Sequence, residues 1–396
     1  MHYTNITLAS CLAASLLLAG CAKHETLKIA GFEGMLDSAL IAQFESEYLQ
    51  KTGQIVDLKY HPYEEYQLVA EASQGKLHDM MLTTNTTIPF FKRLGVLAPL
   101  DHSRIRPLDD YLPYMVDFPS DMGNEYTLPY SYLIMGIVYD ATKLSPEEAG
   151  TITVLWDKKW AGHIVMQSLE LVLYGTAAIY AHRNKLEAMS NGYTTYTQDY
   201  RDSVQAWITK CDPMTRALVK KALVEQFALV SKYATGAKLS VHIARDNEWV
   251  GWMRHPEAIG ALKFNHNLQF SYAREGSAYS PFLFTITTAC KNTELAYEFL
   301  RFISRTDVVA HNMRNNSIPG VISEAVELCR EEIVNDTVQL AGTTRKWREN
   351  FFDLFNMSED VAKRTPLLIP PPAENIQHLR NTIKEFWEQV GGQPNS

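Results

Sequence analysis

The chain lacks most of the marks of a metal- or nucleotide-dependent enzyme. Its five cysteines, at positions 11, 21, 211, 290 and 329 of 396 residues, show no CxxC spacing, which argues against a zinc site or a disulfide framework. Cys211, Cys290 and Cys329 are expected as buried thiols, with a Cys290–Cys329 bridge as the alternative. Walker-type GxxxxGK[ST], GxSxG, HExxH and GxGxxG are all missing, so no phosphate loop, nucleophile elbow or zinc helix is visible. The 12 histidines are scattered. No catalysis, no cofactor and no metal are expected. Basic residues are also short: 37 Lys plus Arg stand against 45 Asp plus Glu, a formal charge of −8, and phosphate backbones repel such a surface. Nucleic acid is therefore not an expected partner. After residue 21 no stretch approaches the roughly 18 uninterrupted apolar residues of a membrane span, and no internal repeat or low-complexity tract occurs.

What is present begins at the amino terminus. Leu8 to Ala19 form an apolar run too short to cross a bilayer as a helix but right for a signal-peptide core. The run ends Leu18-Ala19-Gly20-Cys21, which resembles the bacterial lipobox and implies cleavage before a lipidated Cys21. Two or more acyl chains, at about 0.8 kcal/mol per buried methylene, hold a protein on a membrane where one does not. The expectation is a signal peptide over 1–20, a tether over 21–26, and an exported body lipid-anchored at the periplasmic or cell-surface face of a bacterial membrane. An ordinary secretory signal with an incidental cysteine is the alternative.

The body is large enough for more than one core, since single cores stop growing near about 250–300 residues. Apolar patterning predicts strands at 27–31, 55–60 and 79–83, alternating with helices over 38–52, around 66–72 and up to Gly95. Such alternation predicts a mainly parallel sheet flanked by helices, with ligand loops beyond the carboxyl ends of the strands at 31–37 and 83–88. The middle, 131–280, reads as a second α/β unit, with helices over 193–208 and 212–233 and strands near 135–139, 163–166 and 239–243. A helix over 293–304 is capped by Asn292 or Thr293. After Pro370-Pro371-Pro372, residues Ile376, Leu379, Ile383, Phe386 and Val390 form one helical stripe.

Six segments, in order, resemble the two-lobed solute-binding proteins of ABC importers, specifically the spermidine/putrescine-binding branch. They are LKIAGFEGMLDSALIAQFESEY, HDMMLTTNTTIPFFKRLGVLAPLD, YTLPYSYLIMGIVYD, LWDKKWAGHIVM, AYEFLRFISRTDVVAHN and NSIPG. The resemblance implies a type II periplasmic-binding-protein fold: lobe 1 over 27–130 plus 283–318, lobe 2 over 131–282 plus 319–396, and crossings at Pro129-Tyr130, Pro281 and Pro319. It also implies a monomer that closes on a small polar organic solute and presents it to an ABC-transporter permease. Polyamine binding is the narrower alternative, and a secreted lipoprotein enzyme or adhesin on a similar fold is the alternative of another class.

The resemblance places the ligand residues. Phe32 stands where polyamine binders offer a ring, followed by Glu33; Thr84 and Thr86 stand where Ser and Tyr are usual. After the strand at 163–166 one acid survives, Glu170. An expected Trp falls at Ala244-Arg245-Asp246, and the Trp and Asp that grip the amine fall on Ser280 and Phe282. Arg245 suits a carboxylate, phosphate or sugar, although Arg245 with Asp246 equally fits a structural ion pair. Tyr132 and Tyr279 complete the set, with hinge packing as their alternative role.

Overall fold

The computed structural model describes residues 24–316, 318–334, 354, 357–369 and 371–392; the signal segment and Cys21 lie outside the described residues. The first elements are β1 (His24–Gly31), α1 (Ser38–Thr52), β2 (Ile55–Pro62), α2 (Glu65–Ser73), β3 (Met80–Thr84) and α3 (Ile88–Leu94). The ends of α1 follow from its caps. The Asp37 carboxylate accepts from the Leu40 N–H at 2.7 Å, and Gly53, at φ 71°, stops the helix by donating to the Leu49 carbonyl at 2.8 Å. β1 starts earlier than expected: His24, Glu25 and Thr26, assigned above to the tether, pair with Ile55, Val56 and Asp57.

The chain continues through β4 (Leu97–Ala98), β5 (Leu128–Asp140), α4 (Pro146–Ala149), β6 (Ile164–Gln167), α5 (Glu170–Met189), α6 (Gln198–Thr209) and α7 (Pro213–Phe227). Next come β7 (Val230–Ala234), α8 (Gly236–Arg245), β8 (Val250–Arg254), α9 (His255–Phe264), β9 (Leu268–Ser271) and β10 (Tyr279–Thr287). The last elements are α10 (Thr293–Ile303), α11 (Thr306–His311), α12 (Ser323–Val334), α13 (Glu359–Arg364) and α14 (Ala373–Val390).

The strands lie in the order β2-β1-β3-β10-β5-β8-β6-β7, with β4 on β10 and β9 on β5. β1 runs parallel to β2 and β3, and β6 runs parallel to β7 and β8. These two parallel blocks are joined by the antiparallel β5 and β10. Residues 128–134 of β5 pair with β10, and residues 135–140 pair with β8 and β9. Side-chain alternation divides the interior in two: Val165 and Met253 join a core that runs along the first block, while Met166 and Trp252 join a second core under α5, α7 and α14.

Four expectations are corrected. Residues 193–197 are not helical, because Asn191, Gly192 and Tyr193 take positive φ and α6 starts only after Thr197, whose side chain accepts from the Tyr200 N–H. The segment 212–233 breaks at Phe227, and its end becomes β7. The strand near 239–243 is helix α8: Leu239, Val241 and Ile243 suggest period two, but Leu239, Ser240 and Ile243 are the buried set and Val241 is exposed. The sheet position belongs instead to β8. Finally, residues 319–334 sit with the first block, where Leu112 N–H donates to the Val321 carbonyl at 2.9 Å and α12 packs on α11. No disulfide joins Cys290 to Cys329.

Candidate functional site

The carboxyl ends of β1, β2, β3, β6 and β8 converge on a cleft of about 550 Å³ between the two blocks, within the usual range for small-molecule sites. Phe32 enters from the turn after β1. Its position depends on Gly31, where an added Cβ would lie 2.5 Å from the Tyr60 hydroxyl. With glycine there, that hydroxyl reaches past and donates to the Phe32 carbonyl at 2.5 Å. The Phe32 ring meets Phe282 of β10 edge-on, with centroids 5.0 Å apart, a favourable aromatic geometry.

Glu65, at the start of α2, is the polar centre of the first-block wall. The Thr84 hydroxyl donates to its Oε1, as does that of Thr86 at 3.1 Å. Among the described residues nothing donates to Oε2, so that oxygen is available to a ligand. Glu64 lines the cleft beside it. On the opposite wall Glu170, at the start of α5, pairs with Arg380 of α14 at 3.3 Å. Arg254, at the end of β8, donates through Nε to the buried Glu257 at 2.8 Å. Ser280 donates to the Asn85 side-chain oxygen at 3.1 Å, and Asn85 in turn holds the Leu368 carbonyl at 2.7 Å. Leu368, Ile376 and Leu379 thereby bring the carboxyl-terminal segment into the cleft wall.

Phe32, Thr84, Thr86, Glu170 and Ser280 are thus brought together; the other proposed ligand residues are not. Glu33 is exposed and does not line the cleft. Tyr132 and Tyr279 alternate with Leu133 and Ser280 along their strands and point to the other face. Tyr132 is fully buried, accepts from the Met357 N–H at 3.0 Å and has its hydroxyl pKa pushed up to about 12 by burial. Tyr279 donates to the Tyr114 carbonyl at 2.6 Å and borders a separate cavity of about 330 Å³. Both pack the crossing strands. Arg245 lies over the Phe264 ring at 5.3 Å. Asp246 pairs with Lys232 and, at 2.8 Å, with His242, and these partners hold its carboxyl below the usual range. Asp246 is thus in an ion pair, but with Lys232 and His242 and not with Arg245, the partner expected from the sequence. Among the described residues, no cluster of three or more His, Cys, Asp or Glu side chains is placed to hold a metal ion.

Sequence reasoning missed Glu65, Arg254 and the carboxyl-terminal wall. The rule that selected 31–37 and 83–88 applies equally to the loop after the parallel β2, and it would have found Glu65. Arg254 was hidden by the misplaced strand. A family model for bacterial extracellular solute-binding proteins matches residues 76–332. The chain belongs to that family. This solute-binding protein is 22% identical over 302 residues to the putrescine/cadaverine-binding protein of Pseudomonas aeruginosa, covering 74% of this chain and 79% of the relative. It is 24% identical over 306 residues to the putrescine-binding periplasmic protein PotF of Escherichia coli, covering 73% and 76%. Its fold matches that of the spermidine/putrescine ABC transporter substrate-binding protein PotD from Streptococcus pneumoniae, with a TM-score of 0.71, 18% identity, and coverage of 92% of this chain and 99% of that one. The architecture is accordingly the two-lobed type II periplasmic-binding fold, with the cleft between the lobes.

Proposed function

We propose that this solute-binding protein captures a small amine-bearing solute in the interlobe cleft and delivers it, chemically unchanged, to the permease of an ABC importer. One observation carries the reading: a carboxylate with an uncommitted oxygen, Glu65, lies beside an aromatic ring, Phe32, at the carboxyl ends of the strands. A carboxylate and a π face are the two groups that attract an ammonium. The relatives named for putrescine, cadaverine and spermidine support the same class of ligand. The lobes divide within β5 and β10, which provide the hinge, and closure is driven by contacts the ligand makes with both walls only when they meet. The protein works as a monomer at the periplasmic or cell-surface face of a bacterial membrane, held there by lipid on Cys21.

Native mass spectrometry of the protein purified with its endogenous ligand, followed by a thermal-shift panel of small amines, amino acids and sugars, tests this. An amine that raises the melting temperature as RT ln(1 + [L]/Kd) is the expected result. Stabilisation by sugars or carboxylic acids with none by amines would overturn it, and conversion of the added solute would mark an enzyme. Cys21→Ala is expected to move the protein from the membrane fraction to the soluble one; retention in the membrane fraction would refute the anchor.

A further inference from the structure

We propose that the solute is a monoamine, with one ammonium group on an uncharged and largely apolar body, and that Arg380 is the residue that rejects diamines. The inference rests on the amine-binding reading above and narrows it.

The two walls of the cleft carry different charge. On the first-lobe wall Glu64 and Glu65 stand together, and no basic side chain lines that wall among the described residues. On the second-lobe wall every charge is already matched. Arg380 takes Glu170 at 3.3 Å, and Arg254 is committed to Glu257, which is only 4% exposed. Between these pairs the surface is apolar, formed by Leu169, Leu171, Leu368, Ile376 and Leu379. An ammonium therefore finds a carboxylate without a cationic partner at one end only. A second ammonium, on the far end of a linear diamine, would face two guanidinium groups and leucine side chains, where the one carboxylate, Glu170, already has a cationic partner. A charge in that position is repelled by the two guanidinium groups and gains no partner of its own. A methyl group in the same place buries apolar surface at no electrostatic cost.

Arg380 can be changed without disturbing the fold. It belongs to a helix anchored by the buried Leu379, Ile383 and Phe386, while its own side chain is 60% exposed. Its pair with Glu170 is a surface pair, weak enough to leave the fold intact when broken. Its role is to occupy the one acid on the second wall. Arg380→Gln leaves Glu170 uncovered, and Arg380→Lys keeps it matched.

The test is calorimetric titration of the full-length protein with n-pentylamine and 1,5-diaminopentane, which differ only in one end group. The wild type is expected to bind the monoamine at least tenfold more tightly. Arg380→Gln should improve diamine binding at least tenfold relative to monoamine binding, while Arg380→Lys restores the wild-type preference. Equal affinities, or a diamine preference in the wild type, would overturn the monoamine inference and leave the amine-binding reading standing. A diamine affinity unchanged by Arg380→Gln would remove Arg380 from the selectivity. Failure of both amines to bind the wild type would sink the amine reading and this inference with it.

Discussion

Glu65→Gln is the substitution that bears most directly on the proposed function, because it removes a charge while leaving an oxygen for the Thr84 and Thr86 hydroxyls. A unit charge at about 4 Å is attracted by about 4 kcal/mol at an effective dielectric of about 20. The side chain is only part-buried, so water and salt screen much of this. The net value of a hydrogen bond to a charged group, about 1.5–3 kcal/mol, is the better measure. With about 1.4 kcal/mol per factor of ten, amine binding should weaken about 10- to 150-fold. Titration calorimetry at low and at moderate salt reads this directly. The gap between wild type and variant should narrow as salt rises, because the lost interaction is coulombic. The melting temperature without ligand should not change, which separates a lost contact from a lost fold. An affinity within twofold of wild type at both salt concentrations would refute the placement of the ammonium at Glu65.

Two further perturbations test how the site is supported. Gly31→Ala puts a Cβ 2.5 Å from the Tyr60 hydroxyl and 2.9 Å from Leu82 Cβ; overpacking of this kind costs about 1–3 kcal/mol, and it displaces the group that holds Phe32. Urea unfolding should show the loss and titration a weaker ligand, whereas an unchanged midpoint would show that the close approach is not rigid. His255, the first residue of α9, is wholly buried against the crossing strands, accepts from the Ile134 N–H at 3.2 Å, and has its pKa pushed down to about 3 by burial. The unfolded chain therefore takes up a proton below about pH 6.5 that the folded one refuses. Stability should be full above that pH and fall toward about pH 3, by up to about 2.7 kcal/mol between pH 6.5 and 4.5. His255→Gln should flatten this slope in urea melts at the two pH values. His78 and His182, also pushed down by burial, act alike in both proteins. An identical slope would mean that His255 is protonated in the fold.

What could be read from the sequence was set by local chemistry. The span 38–52 read from apolar spacing matches α1 to the residue, because Asp37 and Gly53 cap it at those ends. Of the two caps the sequence offers for α10, Asn292 and Thr293, it is Asn292 whose side chain accepts from the Leu295 N–H. Topology placed the loops at 31–37 and 83–88, since the ends of parallel strands must face the crevice, and the family resemblance singled out Phe32, Thr84 and Thr86 within them. What could not be read depended on tertiary docking. Leu239, Val241 and Ile243 carry a strand-like alternation that only the burial of Ser240 against α9 resolves into a helix, through its bond to the Glu257 carbonyl at 2.7 Å. Tyr132 and Tyr279 were ambiguous because a strand's two faces are equivalent until its neighbours are known. Arg380 stands 210 positions from Glu170 in the chain, and no spacing rule connects them. Ile376 was grouped with the docking stripe, yet it is 37% exposed at the cleft while Leu379, Ile383 and Phe386 are buried.

The place of β10 has a consequence for how the molecule is assembled. It lies between β3 and β5, yet among the described residues it is the last of the ten strands to be synthesised. The amino-terminal half cannot close its own sheet until nearly three-quarters of the polypeptide has emerged, and contacts of such long range are slow to form. A nascent chain wired in this way remains threadable for most of its synthesis, a useful property in a protein whose working place lies beyond a membrane.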